Sequence, residues 1–206
     1  MKQNYGFTDN PIIFNKINEQ YVIRGKERVV GLWLMGVSAS IFAMIILGGY
    51  TRLSKSGLSM TKWHPHKVGL PKGNAEWNEE FDEYKKFPEF YVVNKDLTLE
   101  AFKQIYFVEW AHRIVARSFA LIYVAPMVYF WSRGYFQPRL KISMGGILGL
   151  GLLQGVVGWW MVSSGLVDKN KTKIVDKTPN VSPYRFVVHA LFAYTMYCST
   201  FWLSLH

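Results

Sequence analysis

Long apolar runs alternate with charged segments along this chain of 206 residues. Three runs contain no Asp, Glu, Lys or Arg: residues 29–50, 142–167 and 186–205. Because about 20 apolar residues cross a bilayer as an α-helix, each run is long enough to be a transmembrane span. A fourth run, 118–131, reaches that length only when it is extended back through the polar stretch 108–117. The pattern therefore predicts four transmembrane helices.

The order of the runs predicts an all-α membrane protein whose four transmembrane helices form an up-down bundle. Consecutive connections in such a bundle alternate between the two sides of the membrane. The predicted tail is residues 1–28, and the first outer loop is residues 51–105. The four predicted spans are about residues 29–50, 106–131, 142–163 and 184–205. The spans and their loops are predicted to form one domain, 29–206.

Local signals predict further helical structure around the spans. In the long outer loop, EWNEEFDEYKKF places Trp77, Phe81 and Tyr84 four and three residues apart, which predicts an amphipathic helix. This helix either lies on the membrane surface or packs against the bundle and closes it, and we favour packing. Ser182 and Pro183 predict the N-cap and first residue of the fourth span.

The distribution of charged residues argues against a nucleic-acid-binding function. The net charge is +10, but the basic residues are scattered among loops, which is typical of positions near lipid headgroups rather than of a nucleic-acid site. The basic tail and the connection 132–141 are predicted to face the mitochondrial matrix or bacterial cytoplasm, although the middle loop, 163–182, is also basic. Residues 1–28 resemble neither a secretory signal nor a transit peptide. The single cysteine, Cys198, allows no internal disulfide.

Two histidines fall inside predicted spans. His112 lies near the start of the second span and His189 near the start of the fourth. These two helices run in the same direction in an up-down bundle, so we expect both imidazoles at similar depth. Two facing imidazoles can hold the iron of a heme between helices as axial ligands. Histidines 112 and 189 are therefore predicted to bind heme iron.

Charged residues surround this pair. Glu109 precedes His112 by three residues, so it can orient the ring or carry protons near the iron. Guanidinium groups pair with carboxylates such as the heme propionates. The arginines predicted to line the heme pocket are Arg113, Arg117, Arg185 and Arg52. Ionisable residues are rare inside membranes, which favours a function for the cluster.

A structural interpretation of the same residues stays open. A histidine within a membrane often forms a hydrogen bond between helices. Glu109 and Arg113 are four residues apart and can neutralise each other, while Arg117 can extend its charge towards the interface. From spacing alone, heme binding and a structural polar cluster remain alternatives.

Two further motifs carry weaker signals. The glycines of the third span allow close helix packing, and their smooth surface also admits a flat ligand. These glycines are Gly145, Gly149, Gly151, Gly155 and Gly158. The HPH stretch at 64–66 lacks further ligands at a useful spacing, so we interpret it as loop rather than as a metal site.

Several long motifs resemble the heme A synthase family. They are LGGYTRLSKSGLSMTKWHP (47–65), FPEF (87–90), FKQIYFVEWAHRIVAR (102–117), LLQGVVGWWMVSSGL (152–166) and VSPYRFVVHALFAY (181–194). The chain is similar to the mitochondrial and alphaproteobacterial type, because it lacks the cysteine pair that other bacterial members carry in the first outer loop. The resemblance covers about residues 30–200.

This resemblance implies an activity and a location. The family oxidises a methyl group of heme O to the formyl group of heme A, which cytochrome c oxidase requires. Two successive hydroxylations followed by loss of water are generally inferred. Members are multi-pass proteins of the mitochondrial inner membrane or bacterial plasma membrane. The glutamate and two histidines of the family's substrate site match Glu109, His112 and His189.

The resemblance extends to only one half of the family's architecture. Members have eight spans in two similar halves, and the second half is thought to hold a heme b that relays electrons. We therefore expect a second-half polypeptide or another donor, of open identity, to supply electrons here. Three hypotheses follow: a heme A synthase half, a non-catalytic subunit associated with cytochrome oxidase, and a heme carrier.

Overall fold

The computed structural model describes residues 21–63, 69–166 and 181–206, most of which are helical. The helices are α1 (Glu27–Leu53), α2 (Gly73–Tyr84), α3 (Pro88–Val92), α4 (Leu99–Ser132), α5 (Pro138–Leu166) and α6 (Pro183–Ser204). Four of them, α1, α4, α5 and α6, are long and apolar enough to cross a membrane. The predicted all-α class and its four spans are confirmed. Most of the tail and middle loop, and the HPH stretch, lie outside the described residues.

Helix α1 is central to the bundle, since it packs against both α4 and α6. Its buried face carries Val30, Leu34, Val37 and Ile41, spaced four, three and four residues apart. This spacing places the four side chains on one stripe of a helix, which enters the hydrophobic core. Helix α5 completes the bundle by packing mainly against α6.

The segment before α1, the α4–α5 connection and the end of α6 meet at one end of the bundle, which we call the tail end. The backbone N–H of Ile23 donates to the carbonyl oxygen of Tyr135 at 2.9 Å. The Tyr21 and Trp202 rings lie 5.5 Å apart, edge to face. The loop between α1 and α4 therefore lies at the opposite end, the loop end, as the up-down topology requires.

Helix α4 is longer than a bilayer is thick. Its 34 residues extend about 50 Å at 1.5 Å per residue, against a hydrocarbon core of about 30 Å. The first turns can therefore project beyond the membrane, where α2 packs on them. Phe81 stacks on Phe102 with ring centroids 4.9 Å apart, and Trp77 meets Tyr106 at 5.2 Å. The aromatic face of α2 is thus a packing face.

The start of α6 is fixed to the end of α5. Helix α6 begins at Pro183 after Ser182, as the sequence predicts. The Ser182 side chain makes no capping hydrogen bond. Its backbone N–H instead donates to Ser164 Oγ at 2.8 Å, which ties the two helices together at the loop end.

Candidate functional site

Each membrane histidine lies against a glycine of a neighbouring helix. A methyl group on Gly48 of α1 would lie 3.1 Å from Cε1 of His112, which α4 carries. A methyl group on Gly158 of α5 would lie 3.0 Å from Cε1 of His189, which α6 carries. We call these contacts the two ring–glycine pairs. They place the rings on two parallel helices, each against a surface without a side chain.

The imidazoles are half-buried, and their nitrogens are incompletely paired. Nδ1 of each ring is buried and has no hydrogen-bond partner within the described residues. A buried polar atom without a partner costs about 1–3 kcal/mol, so this arrangement needs a compensating interaction.

The donor set fits a heme better than a bare metal ion. Structural and catalytic sites for a bare zinc ion use three or four protein ligands. Within the described residues, no group of three His, Cys, Asp or Glu side chains could hold a metal ion. A heme supplies four equatorial nitrogens itself and needs the protein only for axial ligands. Two imidazoles on facing helices therefore suit it.

Glu109 is buried, with only 2% of its surface exposed, and its carboxylate accepts three hydrogen bonds. Ser59 Oγ and the Met60 backbone N–H donate to Oε2 at 2.7 and 2.8 Å. Arg113 donates to Oε1. Glu109 does not bond Nδ1 of His112, because that atom has no partner among the described residues. The neutralising pair between Glu109 and Arg113 is formed.

Arg113 extends this contact to the loop after α1. Its guanidinium donates to the carbonyl oxygens of Met60 and Lys62 at 3.0 and 3.1 Å. It also lies 5.9 Å from the centroid of the Trp159 ring. Glu109 and Arg113 together hold residues 59–62 against α4, and we call this contact the Glu109–Arg113 clamp. On α4, Glu109 lies one turn before His112 and Arg113 directly follows it.

Two other predicted arginines lie at the loop end and contact aromatic rings. Arg185 donates to the carbonyl oxygen of Trp160 at 2.7 Å, with its guanidinium 4.5 Å from the ring centroid. The Arg52 guanidinium lies 4.1 Å from the centroid of Phe186. Arg117, half-buried, follows Arg113 by one turn towards the tail end. Along their helices, Arg113 directly follows His112, and Arg185 precedes His189 by one turn.

Sequence reasoning missed two residues near the rings. Gly48 lies against the ring of His112. The sequence feature that could have indicated it is the glycine pair 48–49 within an apolar helix, because each glycine in a helix costs about 1 kcal/mol relative to alanine. Gln154 donates to the carbonyl oxygen of His189 at 3.0 Å. Its own carbonyl oxygen, Oε1, is buried without a partner in the described part of the chain. No spacing rule distinguished Gln154 from a polar packing residue.

A buried glutamate, Glu89, lies outside the predicted membrane spans, in the connection between α1 and α4. Glu89 of α3 is 6% exposed, and Oε2 has no partner among the described residues. Burial, with a contribution from the charge of Glu109, raises the pKa of Glu89 to about 8, against the lowering effects of Tyr84 and Lys55. Glu89 is therefore mainly a neutral acid at pH 7.

These features define a four-span membrane bundle with two half-buried histidines on parallel helices at one end. Residues 31–206 match the COX15-CtaA family model, described as cytochrome oxidase assembly protein. This chain belongs to that family. Four apolar helices and relatives from plants, mammals and rhizobia place it among multi-pass proteins of the mitochondrial inner membrane or bacterial plasma membrane.

Curated relatives are named heme A synthase. The chain is 42% identical to that of Arabidopsis thaliana over 87% of this chain and 38% of the relative. It is 44% identical to that of Allorhizobium ampelinum over 86% and 46%, and 42% identical to that of Homo sapiens over 88% and 44%. The chain thus spans about half the length of the curated relatives it matches. No solved structure matches it.

Proposed function

We propose that this chain is the heme-binding half of a heme A synthase, in which the methyl group of heme O is oxidised to the formyl group of heme A. The observation that carries the proposal is the two ring–glycine pairs, which hold His112 and His189 on parallel helices with buried, unpaired ring nitrogens. Membership of the family and the names of the relatives support it.

In this proposal His112 and His189 are the axial ligands of the heme iron. Bound heme O supplies both the iron and the methyl group that is oxidised. The protein orients the macrocycle through the two rings, and the apolar bundle excludes bulk water from it.

The heme propionates are proposed to pair with the arginines at the loop end. Arg185 uses one donor on Trp160, and a guanidinium has five N–H groups, so donors remain for a carboxylate. Arg113, Arg117 and Arg52 extend the positive charge around the same end of the bundle. This charge would hold the polar edge of the heme towards the loops.

Glu109 is the proposed catalytic carboxylate, placed to accept or deliver a proton one turn from His112. Proton transfer at this carboxylate involves the three groups that donate hydrogen bonds to it. A proton added to the carboxylate would compete with its hydrogen bonds from Ser59, Met60 and Arg113. Ser59 is the neighbour that can itself pass on a proton, since its hydroxyl both donates and accepts.

The hydrogen bonds that Glu109 accepts from Ser59, Met60 and Arg113 also support a second candidate function. A heme carrier, or a non-catalytic subunit that retains heme, needs the two histidines but no proton-transferring acid. In that case Glu109 serves only in the Glu109–Arg113 clamp. The two candidates differ in one measurable property, because only the synthase depends on the acidity of Glu109.

Electrons for the oxidation are proposed to come from outside the residues described. The curated relatives are about twice as long as this chain. We propose that the corresponding second half, carrying a heme b and joined or separate, relays them, and that oxidase subunits are further partners. The proposal does not specify the protein that first donates these electrons.

The test is to purify the chain gently from its native membrane, record its absorption spectrum and extract the pigment. Heme O or heme A in the extract, with a second-half polypeptide in the same complex, is the result expected of the synthase. Heme b alone would favour the carrier. Recovery without any heme, but with stoichiometric oxidase subunits, would contradict the proposal and favour a structural subunit.

A further inference from the structure

We propose that Gly48 and Gly158 are positioning residues that fix the ring orientations of His112 and His189, and so set how the imidazoles meet the heme iron. The orienting role rests on contacts of this chain alone. Its consequence for heme rests on the function proposed above. Neither glycine would touch the iron.

The same geometry occurs twice. A methyl group on Gly48 would lie 3.1, 3.7 and 3.9 Å from Cε1, Nδ1 and Nε2 of His112. A methyl group on Gly158 would lie 3.0, 3.5 and 3.8 Å from the same atoms of His189. Each ring therefore turns its N–C–N edge to the glycine with Cε1 foremost. One pair joins α1 to α4 and the other joins α5 to α6.

A side chain at either glycine would force a change. Carbon atoms in contact prefer a separation of about 3.5–4.0 Å, so a methyl group at 3.0–3.1 Å is too close. An imidazole is a rigid ring and cannot fold away as the end of a leucine can. The ring has to rotate about its side-chain torsions, or the two helices have to move apart.

Among the described residues, no hydrogen bond to Nδ1 holds either ring. Histidines that bind metals usually donate their second nitrogen to a carboxylate or carbonyl group, which fixes the ring. Nδ1 of His112 and Nδ1 of His189 are buried without such a partner in the described part of the chain. Contact with the glycine is therefore the constraint that the structure shows at Nδ1 and Cε1.

Neighbouring glycines supply matched controls. A methyl group on Gly49, next to Gly48, would meet nothing within 4 Å. The same holds for Gly155, which lies almost one turn before Gly158 on α5. All four glycines are inside helices, so alanine raises helix propensity similarly at each. Only Gly48 and Gly158 place the new methyl group against a histidine.

The first measurement needs no heme. The full chain is labelled at His Cε1, and the resonances of His112 and His189 are assigned with His→Ala variants in the heme-free protein. Gly48→Ala is expected to shift the His112 signal and Gly158→Ala the His189 signal. Gly49→Ala and Gly155→Ala should leave both in place. Equal shifts from the controls, or none from Gly48→Ala and Gly158→Ala, would overturn the orienting role.

The second measurement uses hemin as the probe. Gly48→Ala and Gly158→Ala are expected to weaken hemin binding at least tenfold and to change the electron paramagnetic resonance of the low-spin ferric iron. The controls should match the parent chain, and helicity by circular dichroism should be unchanged in all four variants. Unaltered affinity and resonance in both variants would overturn the consequence for heme. A parent chain that binds no hemin while the His signals still respond would instead refute the proposed function.

Discussion

The Arg113 guanidinium donates to the Glu109 carboxylate across one turn of α4 and to the Met60 carbonyl oxygen of the loop packed on it. Both side chains are shielded, since 14% of the Arg113 side-chain surface and 3% of the Glu109 side-chain surface are exposed. Breaking such a pair from one side leaves the other charge buried and unpaired. The pair therefore controls how firmly the loop closes this end of the bundle.

Arg113→Ala is expected to destabilise the folded chain by about 3 kcal/mol, because Glu109 loses its charged partner. Thermal unfolding in detergent, followed by circular dichroism, measures the loss. Lys103→Ala is the matched control on the same helix. It breaks an exposed pair with Glu100, which should cost less than about 1 kcal/mol. Equal losses in the two variants would show that the clamp is not a buried ion pair.

Glu109→Gln separates catalysis from heme carriage. Glutamine keeps one acceptor oxygen and the side-chain shape but cannot exchange a proton as a carboxylate does. The variant is expected to retain bound heme, while conversion of heme O falls by about 100-fold or more. Chromatography of extracted pigment from cells expressing each form measures both quantities. Full conversion by Glu109→Gln would remove Glu109 from the chemistry.

Glu89 predicts a pH dependence of stability. Its pKa is raised to about 8 from an ordinary value of 4.5, so between these values the folded chain holds a proton that the unfolded chain has lost. The stability associated with this proton is complete below pH 4.5 and is lost as the pH rises towards 8. As the pH rises from 5 to 9, the free energy of unfolding of Glu89→Gln should therefore increase relative to that of the parent chain by roughly 1–3 kcal/mol.

Unfolding temperatures of the parent chain and Glu89→Gln across that pH range test this prediction. Glu100→Gln is a suitable control, since Glu100 is largely exposed on the first turn of α4. Parallel curves for Glu89→Gln and the parent chain would mean that Glu89 titrates normally.

Arg185→Ala tests the proposed propionate contact. Loss of a charge-assisted hydrogen bond of about 1.5–3 kcal/mol should weaken hemin binding roughly 10- to 100-fold. The dimethyl ester of the same heme has no propionate charge, so its affinity should be nearly equal for the variant and the parent chain. Arg139→Ala, at the tail end, is the control. An equal loss with the ester would place Arg185 in packing rather than in carboxylate recognition.

Much of the fold could be predicted because the signals are local. The run 29–50 is apolar enough to define α1, and Pro183 marks the start of α6. The spacing of Trp77, Phe81 and Tyr84 predicted α2, and the structure shows that these side chains pack on α4.

The details of the candidate site depend on contacts between distant residues, which spacing does not encode. Ser59 is 50 residues from Glu109 in sequence, yet its hydroxyl donates to that carboxylate. Gly48 and His112 meet across two helices, and nothing in the sequence of α1 alone distinguishes Gly48 from Gly49. The positions of His112 and His189 on their helices could be predicted, whereas the surfaces that hold their rings could not.

The most direct test of the account is the heme content of His112→Ala and His189→Ala, with His206→Ala as control at the tail end. Each chain is purified, loaded with hemin and measured for bound heme per chain and for its absorption spectrum. The account predicts that both membrane-histidine variants lose heme or low-spin coordination, that added imidazole restores the spectrum, and that His206→Ala resembles the parent chain. Unchanged heme content and an unchanged low-spin spectrum in both variants would contradict it.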